Sequence, residues 1–68
     1  MDLLKILEMA IRLEVDAKAL YVKGEQETAS EDARSLFSFL AAEEEKHRLL
    51  LLDLYQKTAG REYAESEW

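Results

Sequence analysis

Helix breakers are almost absent from this chain, and that restricts the fold more than any other property of the sequence. The 68 residues include no proline, and the two glycines are Gly24 and Gly60. Because proline interrupts a helix and glycine weakens it, long helices are unobstructed on both sides of the region around Gly24. The chain also lacks cysteine, so neither a disulfide nor a cysteine metal site can stabilise it. We therefore predict an all-α fold built from two helices.

The first helix is predicted over residues 2 to about 26. At about 100° per residue, its apolar side chains cover more than half of the helix circumference. A single partner helix needs a narrower stripe, so this helix is expected to contact two or three neighbours. The apolar residues are Leu3, Leu4, Ile6, Leu7, Ala10, Ile11, Leu13, Val15, Ala17, Leu20 and Tyr21.

The second helix is predicted from about residue 30 to 59, antiparallel to the first. Thr28 and Glu31 fit a capping box at its start, Ser30 is the rival N-cap, and Gly60 is a natural stop. Its predicted apolar face comprises Ala33, Leu36, Phe37, Leu40, Leu50, Leu51, Leu54 and Tyr55. Three more apolar residues lie at the edge of this face or away from it, and they suggest further subunit contacts: Phe39, Leu49 and Leu52.

A two-helix hairpin cannot enclose a core by itself. A chain this short buries only about 60% of its unfolded surface, so a metal or oligomerisation is the expected source of extra stability. Two copies of the hairpin make a four-helix bundle. We therefore predict that residues 1–60 form an antiparallel helical hairpin that associates as a homodimer, with larger homo-oligomers left open.

Charge and the chain ends limit the partners. The net charge of −6 disfavours binding to nucleic acid or to anionic membrane surfaces, and it suits attraction of cations. Charged residues interrupt the apolar N-terminus, so it is neither a signal peptide nor a membrane span, and a cytoplasmic location is expected. Residues 61–68 form an acidic C-terminal tail, which is predicted to be either a frayed end or a docking segment anchored by Tyr63 and Trp68.

Three potential metal ligands fall on the apolar rows of the two helices: Glu14, Glu44 and His47. Residue 29 lies near the middle of the turn, with Glu14 fifteen residues before it and Glu44 fifteen residues after it. With an equal rise of roughly 1.5 Å per residue, an antiparallel hairpin brings both carboxylates to the same level. Glu44 and His47 are three residues apart and share one face of the second helix. A homodimer therefore places two copies of each residue in the bundle core.

Each of these residues also has a purely structural explanation. Glu14 and Glu44 could pair with Lys18 or Arg48 across a metal-free bundle, and a histidine on an apolar face is often a hydrogen-bonded core residue. Glu44 belongs to the acidic run of residues 43–45, although the flanking acids fit a solvated face and Glu44 does not. Tyr21 lies on the same row as Glu14, where it is either a second-shell hydrogen-bond donor or an ordinary core tyrosine.

At these residues the chain resembles the rubrerythrin branch of the ferritin-like superfamily. The segment from Glu14 to Tyr21 resembles the first-helix pattern Glu-x-x-Ala-x-x-aromatic-Tyr, and the segment from Phe37 to His47 resembles the second-helix pattern that ends in Glu-x-x-His. The resemblance covers most of residues 3–57. It implies a ferritin-like four-helix bundle with Glu14 as a terminal carboxylate, Glu44 as a bridging carboxylate and His47 as a terminal nitrogen ligand.

The chain departs from that family in three respects. It has two helices where the family has four, it lacks the cysteine-rich iron domain, and it lacks the extra carboxylate ligand unless Glu43 or another acid substitutes. The spacing of the three candidate ligands is similar to that of encapsulated ferritins, whose di-iron site lies across a dimer interface. The resemblance thus implies a site shared between two chains.

We expect a di-iron carboxylate protein that oxidises Fe(II) or reduces peroxide, with Glu14, Glu44 and His47 as both ligands and catalytic residues. Carboxylates with one imidazole per metal suit iron or manganese, and zinc is a further substitute. Two other functions remain open. One is a metal-binding or iron-handling protein without turnover, and the other is a metal-free helical oligomerisation module. Whether the protein is an enzyme is therefore left undecided by the sequence.

Overall fold

A computed structural model describes residues 2–60 and shows two antiparallel α-helices packed as a hairpin. Helix α1 spans Leu3–Glu27 and helix α2 spans Glu31–Ala59. The predicted all-α hairpin is confirmed, and both helices lie within about a residue of their predicted bounds. Neither described helix is long and apolar enough to cross a membrane. The predicted acidic tail of residues 61–68 lies outside the described residues.

The connection between the helices has a different cap from the one first expected. The side chain of Ser30 accepts a hydrogen bond from the Ala33 amide at 3.1 Å, so Ser30 is the N-cap of α2. The predicted capping box at Thr28 is wrong. Thr28 is the extended C-cap of α1, and its hydroxyl accepts a hydrogen bond from the Ser30 amide at 3.1 Å. At the other end of α2, Gly60 adopts a left-handed conformation with φ of 69°, which confirms the predicted stop.

The core of the hairpin is small and lies nearer the open ends of the helices than the turn. Leu7, Ile11 and Tyr55 form a buried cluster, and Ala41 is the other buried residue. Partly buried side chains pack against the cluster: Leu4, Leu51 and Ala59.

Near the turn, a glycine lets the two helices approach closely. A Cβ atom at Gly24 would lie 2.8 Å from Cε2 of Phe37, which is shorter than any normal contact. The Phe37 ring in turn stacks on Tyr21, with ring centroids 6.3 Å apart. Gly24 therefore serves packing here, because its missing side chain makes room for the aromatic pair.

Large apolar side chains remain exposed along one face of the hairpin. Leu36, Leu50 and Leu54 of the predicted apolar face of α2 are exposed in the single hairpin, whereas Leu52, predicted to point elsewhere, is half-buried. The reason is geometric, because one neighbouring helix covers only part of an apolar arc this wide. Six exposed leucines and one isoleucine share this face, at intervals of three or seven residues on α1 and of fourteen and four residues on α2. They are Leu3, Ile6, Leu13 and Leu20 on α1, and Leu36, Leu50 and Leu54 on α2.

These seven residues define what we call the open face. The buried residues mark the side of each helix that faces the other helix, and they are Leu7 and Ile11 on α1 and Ala41 and Tyr55 on α2. On both helices, viewed from the N-terminus to the C-terminus, the open-face residues lie in the same rotational direction from these buried residues. Because the helices run in opposite directions, this common rotation brings both rows to one side of the hairpin. The open face is therefore an apolar surface along the described hairpin, interrupted on α2 by the half-exposed side chain of His47.

Candidate metal centre

The structure brings together the three residues that sequence analysis singled out as metal ligands. Glu14 projects from the middle of α1, and Glu44 and His47 project from successive turns near the middle of α2. One potential ligand atom from each residue lies within 4.8 Å of the other two. The predicted common level of the two carboxylates is therefore confirmed, because equal helical rise on both sides of the turn aligns positions 14 and 44.

The distances within this triplet suit a shared cation better than direct hydrogen bonding. His47 Nδ1 lies 3.5 Å from Glu14 Oε2 and 3.9 Å from Glu44 Oε2. Both separations fall within ion-pair range but exceed good hydrogen-bond lengths. The side chains of Glu14 and Glu44 are 22% and 18% exposed, whereas that of His47 is 50% exposed. The carboxylates thus lie in the groove between the helices, and the imidazole lies at its edge beside the open face.

One carboxylate oxygen of the triplet has no hydrogen-bond donor among residues 2–60. Glu14 Oε2 is buried and accepts no hydrogen bond from the described residues. A buried acceptor without a partner is costly, and an anionic one more so, and a bound cation would offset this cost. Two carboxylates and one imidazole are the donor types that iron and manganese take in proteins. The residues present therefore fit the metal that the sequence predicts.

Lys18 and Arg48, the two cations expected to neutralise the triplet in a metal-free protein, both bind another residue. Glu45 Oε1 accepts from Lys18 Nζ at 3.1 Å and from Arg48 Nε at 3.0 Å, and Glu45 Oε2 accepts from Arg48 Nη2 at 2.9 Å. The hydrogen bonds from Arg48 and then Lys18 lower the pKa of Glu45 from 4.5 to about 2. Among the described contacts, the imidazole of His47 is the nitrogen group that lies within 4 Å of both Glu14 and Glu44.

Sequence analysis did not identify this role for Glu45, which was expected on a solvated face. One indication was available, because Glu45 and Arg48 are three residues apart and such pairs meet on a helix surface. The bond from Lys18 on α1 could not be anticipated, since it depends on how the two helices are rotated against each other. Lys18, Glu45 and Arg48 thus form a hydrogen-bonded cluster that joins the two helices, which we call the clamp.

The two weaker candidates have partners outside the triplet. The carboxylate of Glu43 binds Lys46 at 3.1 Å, one turn along the same helix. The ring of Tyr21 stacks on Phe37 near the turn. Their predicted supporting roles at the metal site remain predictions, and the described contacts give each residue a structural role as well.

Comparison with known proteins identifies the family. No curated protein and no solved structure matches the chain. The sequence model of the family described as Rubrerythrin matches residues 5–67, which include nearly all of α1, the turn, the whole of α2 and all three residues of the triplet. This match confirms the resemblance inferred from the two helix patterns and indicates a di-iron carboxylate protein that binds iron. Since the match covers nearly the whole chain, the protein belongs to the rubrerythrin family.

Proposed function

We propose that two hairpins associate through their open faces and that the resulting dimer is a di-iron carboxylate protein that oxidises Fe(II) or reduces peroxide. The observation that carries this proposal is the triplet, whose ligand atoms lie within 4.8 Å of one another and include a buried carboxylate oxygen without a hydrogen-bond partner. Membership of the rubrerythrin family supports iron as the metal. Manganese and zinc are the metals to compare with it.

The ligand count supports association. A single hairpin supplies two carboxylates and one imidazole, whereas di-iron carboxylate bundles use four glutamates and two histidines from four helices. Two hairpins supply that set when both triplets meet. Glu14 and Glu44 lie near the middles of their helices, so two-fold pairing at this level also brings the apolar rows on either side of the triplet into contact.

The exposed apolar surface supports the same arrangement. Ile6, Leu13 and Leu20 on α1 form an apolar row whose members remain 48% to 68% exposed in the described hairpin. On α2, the corresponding row contains His47 between Leu36 and Leu54. Burial of such rows is the main driving force for helix bundles, and contiguous exposed apolar surface marks an interaction site. Covering the open face would also shield the exposed side of His47 from water.

The roles of the residues follow from their chemistry. Glu14 and Glu44 provide anionic oxygens, and neutral His47 provides a nitrogen ligand. Iron held by these side chains would supply the redox chemistry, while the protein fixes the ligands and controls the access of water. Ligation requires ionised carboxylates and a neutral imidazole, so metal affinity should fall as protons are added through the histidine range.

The test compares the wild type with Glu44→Ala and with Asp53→Ala, a matched control. Asp53 lies on the same helix and forms an exposed pair with Lys57 at 2.8 Å. Each protein is freed of metal and loaded with Fe(II) without oxygen. Elemental analysis and native mass measurement then give the iron content and the assembly. We expect a dimer with about two irons for the wild type and the control, and loss of iron from Glu44→Ala.

Turnover is measured on the same samples by repeated additions of Fe(II) with oxygen or peroxide, while the remaining Fe(II) is monitored with a chelator. Repeated oxidation supports an enzyme, whereas oxidation that stops after one filling of the site indicates an iron-binding protein. A wild type that binds no metal, or a Glu44→Ala variant that retains as much iron as Asp53→Ala, would refute the proposed site.

A further inference from the structure

Glu45 binds two cations that each lie about one helical turn beyond a candidate metal carboxylate. It accepts hydrogen bonds from Lys18 on α1 and from Arg48 on α2, at distances of 2.9 to 3.1 Å. The Arg48 side chain is largely buried, and Glu45 and Lys18 are about one-third and two-fifths exposed. All three therefore lie against the groove that holds the triplet.

Both cations are within reach of the metal ligands. Lys18 is four residues after Glu14, and Arg48 is four residues after Glu44, so each pair occupies adjacent turns on one side of its helix. Residues at this spacing have Cβ atoms about 5–6 Å apart and commonly form ion pairs. If either cation bound its neighbouring glutamate, it would occupy oxygen atoms that a metal ion needs and would cancel charge that attracts the metal.

We propose that Glu45 is a positioning residue that keeps Lys18 and Arg48 away from Glu14 and Glu44 and so leaves both carboxylates available to a divalent cation. This inference rests on the proposed function, because it concerns the same metal site. It assigns the clamp a role in metal affinity, in addition to its role in joining the two helices. The clamp lies on the side of the triplet opposite to the open face, so it leaves the side beside His47 accessible.

A simpler role for Glu45 is to join α1 to α2, and the two roles predict different results when the cations are removed. If Glu45 acts by holding the cations, Glu45→Gln releases them onto Glu14 and Glu44 and weakens metal binding. Replacing Lys18 and Arg48 with glutamine in the same protein then restores binding. If Glu45 acts only as a structural link, removing its partners as well gives no recovery.

The experiment measures Mn(II) binding to the metal-free proteins by the loss of the free-ion electron paramagnetic resonance signal and by calorimetry. We expect Glu45→Gln to bind Mn(II) about 10- to 100-fold more weakly than the wild type, the usual effect of removing a group that supports metal ligands. The control Asp53→Asn removes an exposed carboxylate that binds Lys57, and it should bind as the wild type does. The triple variant with Lys18→Gln and Arg48→Gln added to Glu45→Gln should regain wild-type affinity.

Two outcomes would overturn the inference while leaving the metal site intact. One is a Glu45→Gln variant that binds as tightly as the control, and the other is a triple variant that binds as weakly as Glu45→Gln. Circular dichroism melting of each metal-free protein checks folding. If Glu45→Gln does not fold, the single variant Lys18→Gln decides between the two roles, because it retains the Arg48–Glu45 pair. This variant should bind Mn(II) as the wild type does, and weaker binding would refute the inference. A wild type without affinity for Mn(II) or Fe(II) would instead refute the proposed function itself.

Discussion

Replacing Leu20 with glutamine tests the proposed association without altering a candidate ligand. Leu20 lies on the open face, six residues from Glu14, and is 65% exposed in the hairpin. Full burial of a leucine contributes about 1.5–3 kcal/mol, so covering this remaining surface should contribute about 1–2 kcal/mol. A two-fold dimer contains the residue twice, which doubles the effect to about 2–4 kcal/mol. At 1.4 kcal/mol for each factor of ten, the dimer should dissociate about 30- to 700-fold more readily.

The assay is sedimentation equilibrium of the wild type, Leu20→Gln and Leu49→Gln over a range of protein concentrations. Leu49 is a matched control, because it is a leucine 50% exposed on α2 but lies away from the open face. In both variants the hairpin itself should change little, since substitutions at exposed positions usually alter stability by less than about 0.5 kcal/mol. Equal association of Leu20→Gln and the wild type, or equal weakening by the two substitutions, would refute the assignment of the open face as the interface.

Three further predictions concern the described hairpin, each measured by unfolding of the metal-free protein. Gly24→Ala should destabilise the hairpin, because overpacking against Phe37 costs about 1–3 kcal/mol and exceeds the gain in helix propensity of about 1 kcal/mol. In a Phe37→Leu background the same change should stabilise the hairpin. Stabilisation in both backgrounds would contradict the contact. Ser30→Ala should cost about 1 kcal/mol through the lost N-cap and Thr28→Ala clearly less, whereas equal losses would contradict the cap assignment. Hydrogen bonds from Arg48 and Lys18 lower the pKa of Glu45 from 4.5 to about 2, so its stabilising contribution is present above about pH 4.5 and is lost as the pH falls towards 2. The Glu45→Gln variant should therefore lose less stability than the wild type over that interval. An acid unfolding profile identical to that of the wild type would count against the pairing.

The sequence predicted the elements and the level of the site because both depend on local rules. The absence of proline, the stop at Gly60 and the apolar periodicity determine where the helices lie. Equal rise on either side of the turn then brings Glu14 and Glu44 to one height, as observed. The prediction of a charged pair or a metal at these positions followed from the residue types together with their place on the apolar rows of the helices.

The rotation of each helix about its axis could not be predicted in the same way. An apolar arc wider than half the circumference offers several faces of similar hydrophobicity, so the pattern alone does not determine which face a single neighbour covers. This ambiguity explains why Leu36, Leu50 and Leu54 belong to the predicted apolar face and are nevertheless exposed in the single hairpin. It also explains why Glu45 was expected in solvent, since its bond to Lys18 exists only at the observed rotation.

The incomplete core and the incomplete ligand set have the same geometric origin. The buried line formed by Leu7, Ile11 and Tyr55 is narrow, and the triplet lies beside it, on the flank that leads to the open face. Any partner that covers the leucines therefore also encloses Glu14, Glu44 and His47. Because enclosed carboxylates are costly unless a cation neutralises them, burial of the open face and metal binding should favour each other. A second hairpin meets both needs at once, since it brings an identical apolar row and an identical triplet to the same surface.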